Sequence, residues 1–310
     1  MSNNPMNNQE IKEMVRQRYS EIALQDRNSN AASCCGAGPV SGEVYTIMSD
    51  SYEGLPGHVA EADLGLGCGL PVQFADLSEG CTVIDLGSGA GNDAFVARGE
   101  VGPSGTVFGI DFSPTMIEKA RTNARNRGLD NVHFIEADID SVPLPGNLAD
   151  VVVSNCVLNL LPDKTSIFRE IFRLLKPGGH FSISDVVRTG VLPDALLQEA
   201  EMYAGCVSGA SERSEYLELI AEAGFEEVVV QREKPIALPQ DILQKYLSES
   251  EAAAWSTERP RLMSVTVFGR KPLTDSESDK TRRKVSLSKP RVVLTDLSPT
   301  SSCAPGSSCC

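Results

Sequence analysis

The sequence predicts a doubly wound α/β domain on a mostly parallel sheet, and three observations predict it. Between residues 81 and 187, five Val- and Ile-rich apolar runs are interleaved with amphipathic helical stretches, the pattern of βαβ units. The first run ends in a glycine-rich turn that opens directly into a helix. Two further β-rich runs follow the parallel series, which suits a seven-stranded sheet closed by an antiparallel edge strand.

In chain order, residues 9–24 set Ile11, Met14, Val15 and Ile22 at helical spacing and predict an amphipathic helix. Residues 26–42, with Cys34 and Cys35, and residues 54–71, with Cys68 between glycines, read as loops. Strands are expected at 81–87, 105–112, 132–139, 149–159 and 180–187. Helices are expected from Gly89 to Val101, from Pro114 to a stop at Gly128, and from Leu161 to the Pro-Gly-Gly before the fifth strand. Residues 194–223 read as mostly helical, and late strands are expected at 226–233 and 263–271. Tyr45, Tyr52 and Trp255 read as ordinary core or surface aromatics. After Lys271 the chain turns to Ser, Thr, Lys, Asp and Pro, a composition that predicts disorder.

Composition narrows the function. With 28 Lys+Arg against 42 Asp+Glu, the net charge of −14 repels phosphate backbones and argues against a nucleic-acid partner. No apolar run approaches the ~20 residues of a membrane span, and the polar N-terminus lacks a signal-peptide core. A cytoplasmic location is therefore expected. There the nine cysteines should be thiols, and the absence of any CxxC pair argues against a zinc ribbon or a thioredoxin motif.

The strongest local motif is VIDLGSGAG at 83–91, where Gly87, Gly89 and Gly91 let the backbone turn tightly against a ligand at a helix N-terminus. Such a turn serves NAD, FAD and S-adenosylmethionine alike. Asp85 sits in the strand two residues before Gly87, suited to a cationic amino-acid moiety. Asp111 ends the second strand, placed for two ribose hydroxyls, and Asp138 ends the third, where adenine would lie. Together with LLKPGG before the fifth strand, this pattern resembles the class I S-adenosylmethionine-dependent methyltransferases. The resemblance implies a Rossmann-like seven-stranded sheet with a mixed C-terminal substrate-binding region. It also implies a cofactor set of Asp85, Gly87, Gly89, Gly91, Asp111, Met116, Asp138 and Asn155.

The fold alone names no substrate, but the cysteines do. Cys156 sits at the C-terminal end of the fourth strand, the sheet edge where ligands bind, Cys206 lies in the segment that would cap that edge, and Cys68 has little core to fill between its glycines. Cys81 reads as a packing residue. The set VRQRYSEIA, SCCG, EADLGLGCGLPV, SNCVLNLLPDK, REIFRLLKPGG, ISDVV and AGCVSGA resembles the arsenite S-adenosylmethionine methyltransferases over about residues 15–215.

That resemblance implies that Cys156 and Cys206 hold trivalent arsenic. It implies that Cys68, with Cys35 or its neighbour Cys34, supplies a further thiol or a disulfide partner. The substrates would be arsenite or trivalent methylarsenicals, the cofactor S-adenosylmethionine, and the reductant glutathione or thioredoxin, acting on a monomer. The expected organisation is an N-terminal helix with cysteine-bearing loops (1–74), a cofactor core (75–190), an arsenic-binding cap with the closing strands (191–271) and a tail carrying Cys303, Cys309 and Cys310 (272–310). The competing readings are a methyltransferase for an organic acceptor, which leaves the internal cysteines unexplained, and a metalloid-sequestering protein without turnover.

Overall fold

A computed structural model of the chain describes residues 8–24, 50–197, 206–238, 240–257 and 262–274. Contacts divide the chain after Pro272, and the sheet with its covering helices belongs to the first of the two units. Seven strands form that sheet: β1 (Thr82–Leu86), β2 (Thr106–Asp111), β3 (Val132–Glu136), β4 (Ala149–Asn155), β5 (Leu175–Arg188), β6 (Glu226–Pro235) and β7 (Leu262–Arg270). Their spatial order is β3-β2-β1-β4-β5-β7-β6. The first five pair in parallel, and β7 runs antiparallel between β5 and β6.

Side-chain alternation builds the layers. Val83 of β1 and Val151 and Val153 of β4 face one side, where they pack with Phe95, Ala97, Met116 and Ile117 of α2 (Asn92–Val101) and α3 (Pro114–Asn126). Ile84, Leu86 and Val152 face the other and meet Ile167, Phe168 and Ile171 of α4 (Lys164–Leu174) and Tyr216 and Ile220 of α5 (Arg213–Glu222). The period of two explains why β1 and β4 are apolar throughout: both faces are covered. Each such Val or Ile withdrawn from water contributes about 1.5–3 kcal/mol.

Three boundaries differ from expectation. The helix before β5 stops at Leu174, and Lys176–Gly179 joins the strand, because Leu175 already pairs with Ala149 and Gly178 turns at φ +78 to reach the Lys271 carbonyl. β4 ends at Asn155, and residues 158–160 form a 3-10 turn. Within 194–223, the described part is one helical turn (Asp194–Leu197), a tight loop at 206–210 and α5. Two short helices absent from the expectation follow β6, namely α6 (Gln240–Tyr246) and α7 (Glu249–Thr257). The N-terminal helix is α1 (Asn8–Ile22). Among the described residues no helix is long and apolar enough to cross a membrane.

Candidate active site

The chain direction across the sheet reverses between β1 and β4, and the crevice beyond their C-terminal ends is where an open α/β sheet takes a ligand. A cavity opens there. Its floor is the turn after β1. Gly87 and Ser88 both donate their N–H to the Ile110 carbonyl (2.8 and 2.9 Å), so the turn doubles back onto β2. Gly87 has φ +73, and a Cβ on it would lie 2.4 Å from the Val157 side chain. Only glycine satisfies both conditions.

Asp111 fixes that turn as well as lining the cavity. Its Oδ2 accepts from the Gly89 N–H and its Oδ1 from the Ser113 N–H, each at 2.9 Å. Burial pushes its pKa up to about 6. Gly87, Gly89, Met116, Asp138 and Asn155 also line the cavity. Two expected cofactor residues do not. Gly91 caps α2 behind the wall, with φ +97 and no room for a Cβ beside Phe95 and Phe134. Asp85 lies beneath the floor, buried, its Oδ2 without a hydrogen-bond partner and its pKa raised well above the usual range by burial and then by Asp93 and Asp111. Asp93, on the first turn of α2, does line the cavity, beside Asp111 and Asp138.

Asp93 belongs to a network that no local sequence pattern announces. Tyr52, expected as an ordinary aromatic, is buried and donates its hydroxyl to Asp93 (2.9 Å). Asn155 Nδ2 lies 3.1 Å from Asp93 Oδ2, 2.6 Å from Tyr52 Oη and 2.9 Å from the Gly69 carbonyl. Burial raises the pKa of Asp93 to about 6 against the lowering effect of these donors. On its other side, Asn155 Oδ1 accepts from the backbone N–H of Cys68 (3.0 Å) and Gly69 (3.3 Å). A Cβ at position 67 would fall 2.6 Å from Asn155 Nδ2, and one at 69 would fall 2.5 Å from Ser184 Oγ. The glycines around Cys68 therefore let the loop wrap closely about one amide.

The wrap brings three of the expected cysteines together. Cys68 (0 % exposed), Cys156 (6 %) and Cys206 (2 %) share one buried cluster with Val15, Leu160, Val186 and Leu262. Cys206 Sγ donates to the Cys156 carbonyl at 3.1 Å. The Cys156 thiol is within hydrogen-bonding reach of the thiols of Cys206 and Cys68, and those contacts together with burial raise its pKa well above the ordinary thiol value. Cys156 and Cys206 both adopt left-handed backbone, at φ +60 and +64, which costs a non-glycine residue about 1–2 kcal/mol. Cys156 also lines the cavity. Cys34, Cys35 and Tyr45 lie outside the described residues, as do the three cysteines of the tail. Cys81 packs, half-buried, against the core on the α2 side.

α1 also lines the cavity, a second contribution absent from the sequence expectations. Lys12, Val15 and Tyr19 line the cavity, and the Lys12 ammonium pairs with Asp140 (2.8 Å) and Asp138 (3.7 Å) just past β3.

A methyltransferase-domain family model matches residues 77–224. The chain is 39% identical over 283 residues to an arsenite methyltransferase of Halobacterium salinarum, an alignment covering 86% of this chain and 68% of that protein. The chain belongs to the arsenite methyltransferase family. An arsenite methyltransferase of Aquipseudomonas alcaligenes is 32% identical, over 77% of this chain and 68% of its own. An arsenic(III) S-adenosylmethionine methyltransferase from Chlamydomonas reinhardtii, solved by crystallography, is 30% identical with a TM-score of 0.56, covering 66% of this chain and 68% of that one. Like other members of the arsenite methyltransferase family, this chain is an S-adenosylmethionine-dependent methyltransferase.

The cavity fits that cofactor. Ser88 Oγ and Asn92 Oδ1 are buried in its wall with no hydrogen-bond partner, and the desolvated carboxylates of Asp93 and Asp111 face it without a counter-ion strong enough to hold their pKa values down. A cationic ligand with several hydroxyl and amino groups answers both needs.

Proposed function

We propose that this enzyme methylates thiolate-bound trivalent arsenic, with Cys68, Cys156 and Cys206 as the arsenic ligands. The observation that carries the reading is the convergence of three cysteines, 88 and 50 residues apart in sequence, on the end of β4 beside the cofactor cavity. Trivalent arsenic prefers soft thiolates to oxygen donors. When arsenite, As(OH)3, binds three thiols, three As–S bonds form, three As–O bonds break, and the thiol protons leave as three waters. Among the described residues no three side chains form a ready-made metal-ion cage, so binding draws the sulfurs together from their hydrogen-bonded arrangement.

Bound S-adenosylmethionine supplies a methyl group activated by its sulfonium sulfur. Asp111 and Asp138 would accept from its ribose and adenine, with Met116 alongside. Asp93 and Asn155 would face its cationic end, and Asp85 would act through the floor. The chain's part in the transfer is positioning, which holds the arsenic lone pair toward the methyl carbon; such placement supplies several kcal/mol. A lone pair carries no proton, so no general base is needed. The transfer formally oxidises As(III) to As(V). Two electrons return when the Cys35 or Cys34 thiolate attacks the Cys68 sulfur in this reading: the S–S bond forms, the As–S bond to Cys68 breaks and its electron pair stays on arsenic as As(III). Glutathione or thioredoxin then reduces the disulfide to free both thiols.

The test measures S-adenosylhomocysteine formation with a dithiol reductant, with and without arsenite. Turnover that depends on arsenite supports the reading. Arsenite binding without turnover favours sequestration, and turnover indifferent to arsenite favours an organic acceptor. The electron-return step has its own check: with external thiol withheld, the wild type should release trivalent methylated arsenic once per enzyme, and a Cys34, Cys35 double serine variant should stop at the pentavalent product.

A further inference from the structure

A half-buried lysine stands beside the cysteine cluster, and the methyl transfer has no step for it. Lys164 is the first residue of α4, where the helix dipole disfavours a cation. Burial of part of the side chain also pulls its pKa down, so the helix terminus does not account for the charge. Its Nζ donates to the Gly209 carbonyl at 2.8 Å, three residues beyond Cys206. The groups that act on it electrostatically are Asp185 on β5, Cys206 in the loop and Glu215 on α5. Asp185 is fully buried and takes a hydrogen bond from the Val186 N–H (2.9 Å), with the Tyr216 hydroxyl at 3.4 Å.

The same loop is seated on the segment that carries the other thiol. A Cβ at position 209 would lie 2.0 Å from the Asn159 carbonyl, so the backbones touch there. Asn159 in turn donates to the Val186 carbonyl at 2.6 Å. Cys156, Asn159 and Lys164 thus sit on one short stretch of chain, and Cys206 and Gly209 sit on another that is docked against it. We infer that Lys164 is a positioning residue which clamps the Cys206 loop to the Cys156 segment and so sets the spacing of the two thiols for arsenic.

The inference rests on the arsenic reading, and direct binding separates the two. Arsenite affinity is measured by equilibrium dialysis, with S-adenosylmethionine affinity and melting temperature taken on the same samples. Lys164→Met should weaken arsenite binding by about tenfold or more, the scale of a lost charge-assisted hydrogen bond. It should leave cofactor affinity within about twofold, and Lys164→Arg, which keeps a charged donor, should recover most of the loss. If Lys164→Met does not fold, Lys164→Gln must show the same split between the two ligands. Unchanged arsenite affinity overturns the clamp, and so does an equal loss of both ligands with no rescue by arginine. Wild-type protein that binds arsenite without producing S-adenosylhomocysteine would defeat the catalytic reading and leave the clamp to be decided by the same affinities. Wild-type protein that binds no arsenite defeats both.

Discussion

At the scale of single residues, the site depends on Asn155 and the three thiols it helps to place. Asn155 satisfies two backbone N–H groups of the Cys68 loop and reaches Asp93 and Tyr52 with its other end. Asn155→Ala leaves those buried donors without an acceptor, at about 1–3 kcal/mol for each unsatisfied group, and urea unfolding should register the loss. Cys156→Ser and Cys206→Ser replace a soft donor atom with a hard one in nearly the same volume. They should fold with near wild-type stability and lose arsenite-dependent turnover by about a hundredfold or more. Much of this is legible in the sequence. Cys68 and Cys206 stand out by position and flanking glycine, Cys156 by its position alone, and Asp111 and Asp138 by their places at or after strand ends, whereas Met116 comes only with the family resemblance. Tyr52 and Asp93 do not, because their partner Asn155 lies 103 and 62 residues away and nothing nearby in the chain signals the contact.

At the scale of elements, the glycine turns and α1 decide whether the cavity exists. Gly87→Ala places a methyl group into Val157 at a left-handed position. It should cost stability by about 1–3 kcal/mol and weaken cofactor binding more than arsenite binding, because Val157 lines the cofactor cavity; paired titrations of the two ligands check this. The parallel strands are legible because a strand covered on both faces is apolar throughout. The Lys176–Gly179 stretch is not, because Pro-Gly-Gly signals a helix stop in sequence but not the β pairing, which long-range partners at Ala149 and Lys271 supply. α6 and α7 escape detection because they cover the cysteine cluster with only a few apolar residues each, Leu243 and Ala252 among them. Periodicity over so few turns is weak.

Across the whole molecule, burial of acidic groups around the cavity ties stability to pH. Asp93 and Asp111 titrate near 6 and Asp185 near 7 in the folded protein, against about 3.9 when unfolded. Between those values the folded state holds protons that the unfolded chain has released, so stability falls as pH rises through the window from about 4 to 7. As far as these groups govern it, the ligand-free melting temperature should be higher at pH 5 than at pH 7.5. S-adenosylmethionine carries a sulfonium charge that S-adenosylhomocysteine lacks. Its extra stabilisation over the demethylated product should therefore grow across the same interval, and paired thermal melts would show whether it does.

The central claim is that the cysteine cluster beside the cofactor cavity presents trivalent arsenic to an activated methyl group. Its most direct test is S-adenosylhomocysteine production from S-adenosylmethionine with a dithiol reductant, with and without arsenite, in wild type and Cys156→Ser. The account predicts product only with arsenite and only from the wild type. Equal product from both proteins, or product that ignores arsenite, would contradict it.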